Sequence, residues 1–272
     1  MSVLMCDTFY EDVPTLDEVK REISSIVGLR EIKRHLEAIV AKIIDAEKDA
    51  SGGLKVLPPK PFHMVFVGNN GTGKSTVARI LGKLFYLSRA LSSYTVTEMQ
   101  GNKKMKDAKG GVLLVNIDEE DPINSKLVEE IIAAMNEGDI SIIFAGTYKA
   151  LNQYMKFNND LYKRFSARLQ FDDLTPQELA TILQKKASNQ GEDGLICGFE
   201  LDPSCSTIDI ADKIAVLAPE SLRRLLNAHL LDQMLIEARK VAERSGEKTI
   251  FLRDLAIGIH SGAQIYKNLL NL

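Results

Sequence analysis

His63-Met64-Val65-Phe66-Val67-Gly68-Asn69-Asn70-Gly71-Thr72-Gly73-Lys74-Ser75-Thr76 is the stretch on which the reading of this chain depends. Met64 to Val67 is a short apolar run, the pattern of a parallel strand buried on both faces. Beyond it, Val77, Ile80, Leu81, Leu84 and Phe85 recur at helical spacing. Between strand and helix stands G-x-x-x-x-G-K-[ST], in the context that gives this motif its meaning. The glycines let backbone N–H groups turn inward toward phosphate oxygens. The helix N-terminus adds the positive end of its dipole. Lys74 is placed to reach the β- and γ-phosphates, and the Ser75 hydroxyl to hold Mg²⁺. Gly68, Asn69, Asn70, Gly71, Thr72, Gly73, Lys74, Ser75 and Thr76 are therefore expected to bind a nucleoside triphosphate, ATP with Mg²⁺ by preference. A chance glycine-rich turn is the competing reading, and strand, spacing and helix together speak against it. Asn69 and Asn70 stand where a proline is common, and both tolerate left-handed backbone angles.

The pattern continues on either side. Gly110-Gly111 leads into the apolar run Val112-Leu113-Leu114-Val115, and Ile140 to Gly146 forms another. Tyr94 to Thr97 is a weaker strand candidate, and Ala167 to Phe171 a further one. Leu127 to Met135 between them is helical in spacing. Strands alternating with helices predict an open α/β sheet with right-handed crossovers. Upstream, residues 15–50 read as two helices interrupted at Gly28, and the prolines at 58, 59 and 61 mark a connector. Downstream of about residue 174 the pattern is all helical. Thr175-Pro176-Gln177-Glu178 predicts a capping box with proline in the first turn. Further helices are expected at 208–216, 219–244 and 251–270. The predicted organisation is an N-terminal segment 1–25, an α/β nucleotide-binding domain 26–173, and a helical lid 174–272.

Composition narrows the partners. At 45% hydrophobic and 26% charged, the 272 residues suit an ordinary globular protein with a sizeable core. A net charge of -3 and no long Lys/Arg block give no footprint for nucleic acid. No stretch reaches the length of a membrane span, and the acidic start MSVLMCDTFYEDVP resembles neither a signal nor a transit peptide. Cytoplasm or nucleus is the expected location. Cys6, Cys197 and Cys205 are too scattered for a metal site or a disulfide framework. His35, His63, His229 and His260 lack ligand spacing.

Together these residues resemble an AAA+ ATPase of the P-loop NTPase class. The similarity is to the CbbX/CfxQ group, which includes red-type Rubisco activases. Among its members the chain is most similar to plant ankyrin-repeat proteins with a CfxQ-like module, although it has no ankyrin repeat. HMVFVGNNGTGKSTVARILGKL, VTEMQ, AKGGVLLV, SIIFAGTY, FDDLTPQELATIL and GFELDPSC carry the resemblance, which runs from about residue 26 to the C-terminus. It implies that Val27 and Gly28 flank the adenine, and that Thr147 or Tyr148 is the polar sensor at a strand end. It implies that Arg164 is an arginine finger acting on a neighbouring subunit, and that Arg223 is the lid's sensor arginine. For both arginines the plain alternative is a solvated charge. The resemblance also implies a protein partner, or a ring with related AAA+ subunits.

Two departures bear on turnover. Where the family reads G-G-V-L-F-[IV]-D-E, this chain has Asn116 and Ile117 in the two acid positions. Asn116 can still hold a water or ligate Mg²⁺ weakly, but Ile117 cannot accept a proton. Asp118 and Glu119 follow. One reading brings them to the site, since a shift of two residues preserves facing on a strand. The other makes them a solvated acidic turn. In addition, the short link from Gly101 to Lys109 contains no aromatic, so the family's substrate-gripping loop has no counterpart there. The sequence thus favours nucleotide binding with weakened or absent hydrolysis, with an active remodelling ATPase as the alternative.

Overall fold

In the computed structural model, residues 13–53, 62–99, 106–119, 125–156, 159–191 and 194–271 are described. The connector prolines, most of the link after Met99, Cys6 and the acids at 120–121 lie outside them.

Helix α1 (Leu16–Ser25) opens on a reciprocal cap: the Glu18 N–H donates to Thr15 Oγ1 at 3.3 Å, and the Thr15 N–H donates to Glu18 Oε2 at 2.9 Å. Helix α2 (Arg30–Ser51) follows a turn in which Gly28 and Leu29 both have positive φ. Strand β1 (His63–Val67) is buried throughout and leads through the glycine-rich loop into α3 (Lys74–Leu87). Next come β2 (Val96–Met99), β3 (Val112–Ile117), α4 (Ser125–Glu137) and β4 (Ser141–Gly146). Then α5 (Tyr148–Lys156), the short α6 (Asn159–Tyr162) and β5 (Phe165–Gln170) complete the α/β part.

The five strands pair in parallel in the order β2-β3-β4-β1-β5. Period-two alternation assigns each strand's side chains to one of two cores. Met64, Phe66, Val112, Leu114, Ile143 and Ala145 join α1, α2 and α3 on one face. Val65, Val67, Leu113, Val115, Ile117 and Phe144 join α4 and α5 on the other. Helix α1 shares the first core through Val19 and Ile23, both buried.

The C-terminal part is helical. It comprises α7 (Pro176–Ala187), β6 (Glu200–Leu201), α8 (Thr207–Leu217), α9 (Glu220–Leu226), α10 (Leu230–Arg244), β7 (Thr249–Ile250) and α11 (Leu252–Leu270). Its own core gathers Leu179, Leu183, Ile210, Ile214, Leu231, Met234, Leu235 and Ile259. The capping box expected at Thr175 is present, with the Glu178 N–H on Thr175 Oγ1 at 3.3 Å and Pro176 in the first turn.

Three expectations are corrected. The second strand runs 96–99 rather than 94–97, and the fifth 165–170 rather than 167–171. The helix expected over 219–244 is two helices, broken at a 3₁₀ turn over Asn227–His229. Outside these three, strand β3 extends two residues past its apolar run, through Asn116 and Ile117, in continuous register with β4.

Candidate nucleotide site

Parallel strands put every β-to-α turn of the sheet at one end, and the site is built there. Loop residues 68–75 leave β1 at the sheet's centre. Gly71 and Gly73 adopt φ of 71° and 97°, which turns the backbone so that α3 begins on Lys74. The Thr72 hydroxyl, almost fully buried, donates to the Asn69 carbonyl at 2.8 Å and tightens the turn. Lys74 Nζ folds back to donate to the carbonyls of Gly68 (2.9 Å) and Asn69 (2.6 Å). Burial pushes its ammonium down to about 8, against the opposing pull of Asp118 and Asp173.

The loop forms one wall of a cavity of about 990 Å³. Its apolar end is made by Ile26, Val27 and Leu29 ahead of α2, with Leu174 and Ile182 from the C-terminal part. Its polar end is made by the loop from Asn70 to Thr76, by Asn116 and Asp118 from β3, and by Thr147. Apolar side chains beside a glycine-rich loop and one ammonium suit a base and a polyphosphate.

Each predicted residue has a definite place. Val27 lines the cavity, whereas Gly28 packs on α7: a side chain there would meet Glu178 Oε1 at 2.3 Å. Thr147 lines the cavity while its Oγ1 accepts from the Ala150 N–H at 3.2 Å. Tyr148 instead lies 64% exposed beneath the Arg168 guanidinium. Asn116 and Asp118 share the cavity with Lys74 and Ser75. Ile117 faces the α4–α5 core and is 4% exposed. Glu119 pairs with Lys149 of α5. Arg164 precedes Phe165, which aligns with His63 at the far end of β1 from the loop. Its Nη1 donates to Asn136 Oδ1, so within one chain it stays away from the cavity. Arg223 does not line the cavity either; its Nε donates to the Ala218 carbonyl at 3.0 Å.

Sequence reading missed several lining residues: Arg79 of α3, Glu98 of β2, Lys185 and Lys186 of α7, and His229. Lys186 is paired with Asp232 at 2.6 Å. No local motif marks any of these, since only the fold brings them to the loop.

Comparison with known proteins bears on the fold and the family resemblance. Residues 173–263 match the family model described as Domain of unknown function (DUF8495). The stage V sporulation protein K of Bacillus subtilis is 30% identical over 195 residues, covering 62% of this chain and 60% of that protein. The chloroplastic ribulose bisphosphate carboxylase/oxygenase activase of Cyanidioschyzon merolae is 30% identical over 191 residues, covering 61% and 64%. The CfxQ homolog of Cyanidium caldarium is 29% identical over the same length, covering 61% and 65%. In sequence the chain is similar to AAA+ proteins of the CbbX/CfxQ type. The match spans less than two thirds of each of these relatives. A solved RuvB mutant of Thermotoga maritima has the AAA+ fold in common with it, with a TM-score of 0.54 at 16% identity, covering 93% of this chain and 72% of that one. Among the described residues of this AAA+ chain, no helix is long and apolar enough to cross a membrane.

The lowered Lys74 value predicts a pH dependence. A polyphosphate favours the ammonium, so binding raises the lysine's proton affinity. Nucleotide affinity should be full below pH 8 and fall as pH rises past it, by up to about tenfold per pH unit. Titration with a fluorescent ATP analogue between about pH 7 and 10 measures this; a flat profile would refute it.

Proposed function

We propose that this chain is an ATP-binding AAA+ module with weakened or absent hydrolysis, serving as a nucleotide-dependent regulatory or ring subunit. The observation that carries the reading is the end of β3. Of the two positions where the family's acids belong, one is a neutral amide, Asn116, and the other, Ile117, borders the cavity while its apolar side chain packs into the α4–α5 core. Binding needs the loop, but turnover needs a group placed to take a proton from water. Glu119 is paired with Lys149 of α5, outside the cavity lining, and does not supply that group.

The loop residues 68–76 would hold the phosphates, with Val27 beside the base. Ser75, Asn116 and Asp118 offer a hydroxyl, an amide and a carboxylate at one end of the cavity, a donor set suited to a Mg²⁺ ion that arrives with the nucleotide. When bound, Mg²⁺ supplies neutralising charge to the phosphates. A boundary near 174 would suit this division of labour, whereas α1, ahead of residue 26, shares the core of the loop-bearing sheet. Cytoplasm or nucleus, and assembly with a protein partner or related AAA+ subunits, complete the proposal. Arg164, distant from its own loop and bonded to Asn136 within the chain, would serve only a neighbouring subunit.

The second reading, an active ATPase that remodels a protein, draws on Asp118. It lies two residues beyond Asn116, just past the end of β3, and it lines the cavity. Steady-state ATPase assays beside a Lys74→Ala control separate the two. We expect turnover at least about a thousandfold below the roughly 10 s⁻¹ typical of enzymes. Asp118→Asn should weaken Mg·ATP binding, and Glu119→Gln should change nothing. Robust Lys74-dependent turnover, lost in Asp118→Asn, would establish the second reading instead.

A further inference from the structure

The break between α9 and α10 has no glycine or proline to cause it. Asn227 stands there at φ 45° and ψ -124°, outside the ordinary helical and extended regions, with its surface wholly buried. Such a conformation persists only where its surroundings over-determine it. Here they do. Asn227 Nδ2 donates to the carbonyls of Asn70 (3.1 Å) and Arg224 (2.9 Å) and to Asp173 Oδ1 (3.1 Å). Its Oδ1 accepts from the Leu174 N–H at 2.8 Å. The same Asp173 oxygen accepts from Asn69 Nδ2 at 2.9 Å. One residue on, the Ala228 N–H donates to the Gly71 carbonyl at 3.2 Å. Three successive residues of the phosphate loop are thus tied to the helical part, through one buried amide, one carboxylate and one backbone bond.

We infer that Asn69, Asp173 and Asn227 are positioning residues that make the placement of the helical lid depend on what the phosphate loop holds. The inference rests on the nucleotide-binding reading and adds a route by which occupancy is passed on. Asn69 is its pivot. Its carbonyl accepts from Lys74 Nζ while its side chain reaches Asp173. A phosphate that draws the ammonium away frees the Asn69 carbonyl and lets that residue shift against Asp173 and Asn227. Arg223 cannot make this connection from where it stands, bound to the Ala218 carbonyl. Asn69 acquires a reason: its side chain, together with the backbone carbonyl of Asn70, is the loop's half of the relay. Coupling of this kind is reciprocal, so loosening the lid weakens the nucleotide.

Hydrogen exchange by mass spectrometry, with and without Mg·ATP, tests this on the full chain. Asn227→Gly keeps the backbone shape and deletes the amide. Asn69→Ala cuts the relay from the loop side and leaves the lid's own residues intact. In wild type, ATP should slow exchange in the loop and in residues 220–229 together. In both variants ATP should still protect the loop, with Kd raised at least about fivefold, but protection of 220–229 should vanish. A merely structural role would lower the melting temperature and leave that ATP-dependent protection in place. If both variants retain it, the relay is refuted. If wild type binds no ATP in the same titration, the nucleotide reading falls first and the relay with it.

Discussion

Lys74→Ala is expected to weaken ATP binding by about ten- to a hundredfold while leaving the fold's stability nearly unchanged. A hydrogen bond to a charged group contributes about 1.5–3 kcal/mol, and the ammonium is seated inside the loop's turn. The stability half of the expectation follows from burial. Desolvation already disfavours the charged form in the folded protein, enough to bring it to about 8. Removing the group relieves that cost and frees two carbonyls beside an open, water-accessible cavity. Nucleotide titration and thermal melting of one preparation measure both halves. Near wild-type affinity in the variant would remove Lys74 from the site.

Gly71→Ala should be the more damaging change, because it strikes loop and lid at once. The residue has φ 71°, and a β-carbon there would lie 2.1 Å from the Leu226 carbonyl oxygen and 3.0 Å from the Ala228 nitrogen. Both neighbours are backbone and have no rotamer by which to give way. A side chain in this conformation alone costs about 1–2 kcal/mol, and the contact adds a forced displacement of the loop from the α9–α10 turn. We expect a loss of about 3 kcal/mol or more and no measurable nucleotide binding. Gly138→Ala isolates the backbone part: its φ is 76°, yet nothing lies within 4 Å of the added atom. Equal falls in melting temperature for the two variants would show that the close packing of loop on lid is unimportant.

The parts of this molecule that were legible in its sequence are those whose signal is local. Strands β1, β3 and β4 announce themselves because they are buried on both faces over most of their length, which gives each a nearly continuous apolar run. Strands β2 and β5 sit at the sheet's edges, and their patterns are mixed: Glu98 points to the cavity, and β5 alternates half-buried and exposed side chains. Their predicted positions slipped by one or two residues accordingly. The Thr175 cap was legible because its partners lie three residues apart. Asn227 was not, because its partners are Asn70, Asp173 and Leu174, and helical spacing runs unbroken across it. The same distinction divides the site. The loop is a continuous motif, whereas Leu29, Leu174, Ile182 and His229 reach the cavity from separate segments. The resemblance named two arginines that lie off the cavity. It did not name Lys185 and Lys186, which line it.

The strand order has a consequence for how the chain is made. Strand β1 carries the phosphate loop, yet both its neighbours, β4 and β5, are synthesised long after it: Met64 pairs with Ile143 on one side and Ala167 on the other. A nascent chain that has emerged only as far as β3 owns the whole motif but no sheet to hold it. Closing such distant pairings is the slow part of folding. Asn227 comes later still. The cellular nucleotide pool therefore has no grip on the early nascent chain and stabilises only one whose sheet is complete.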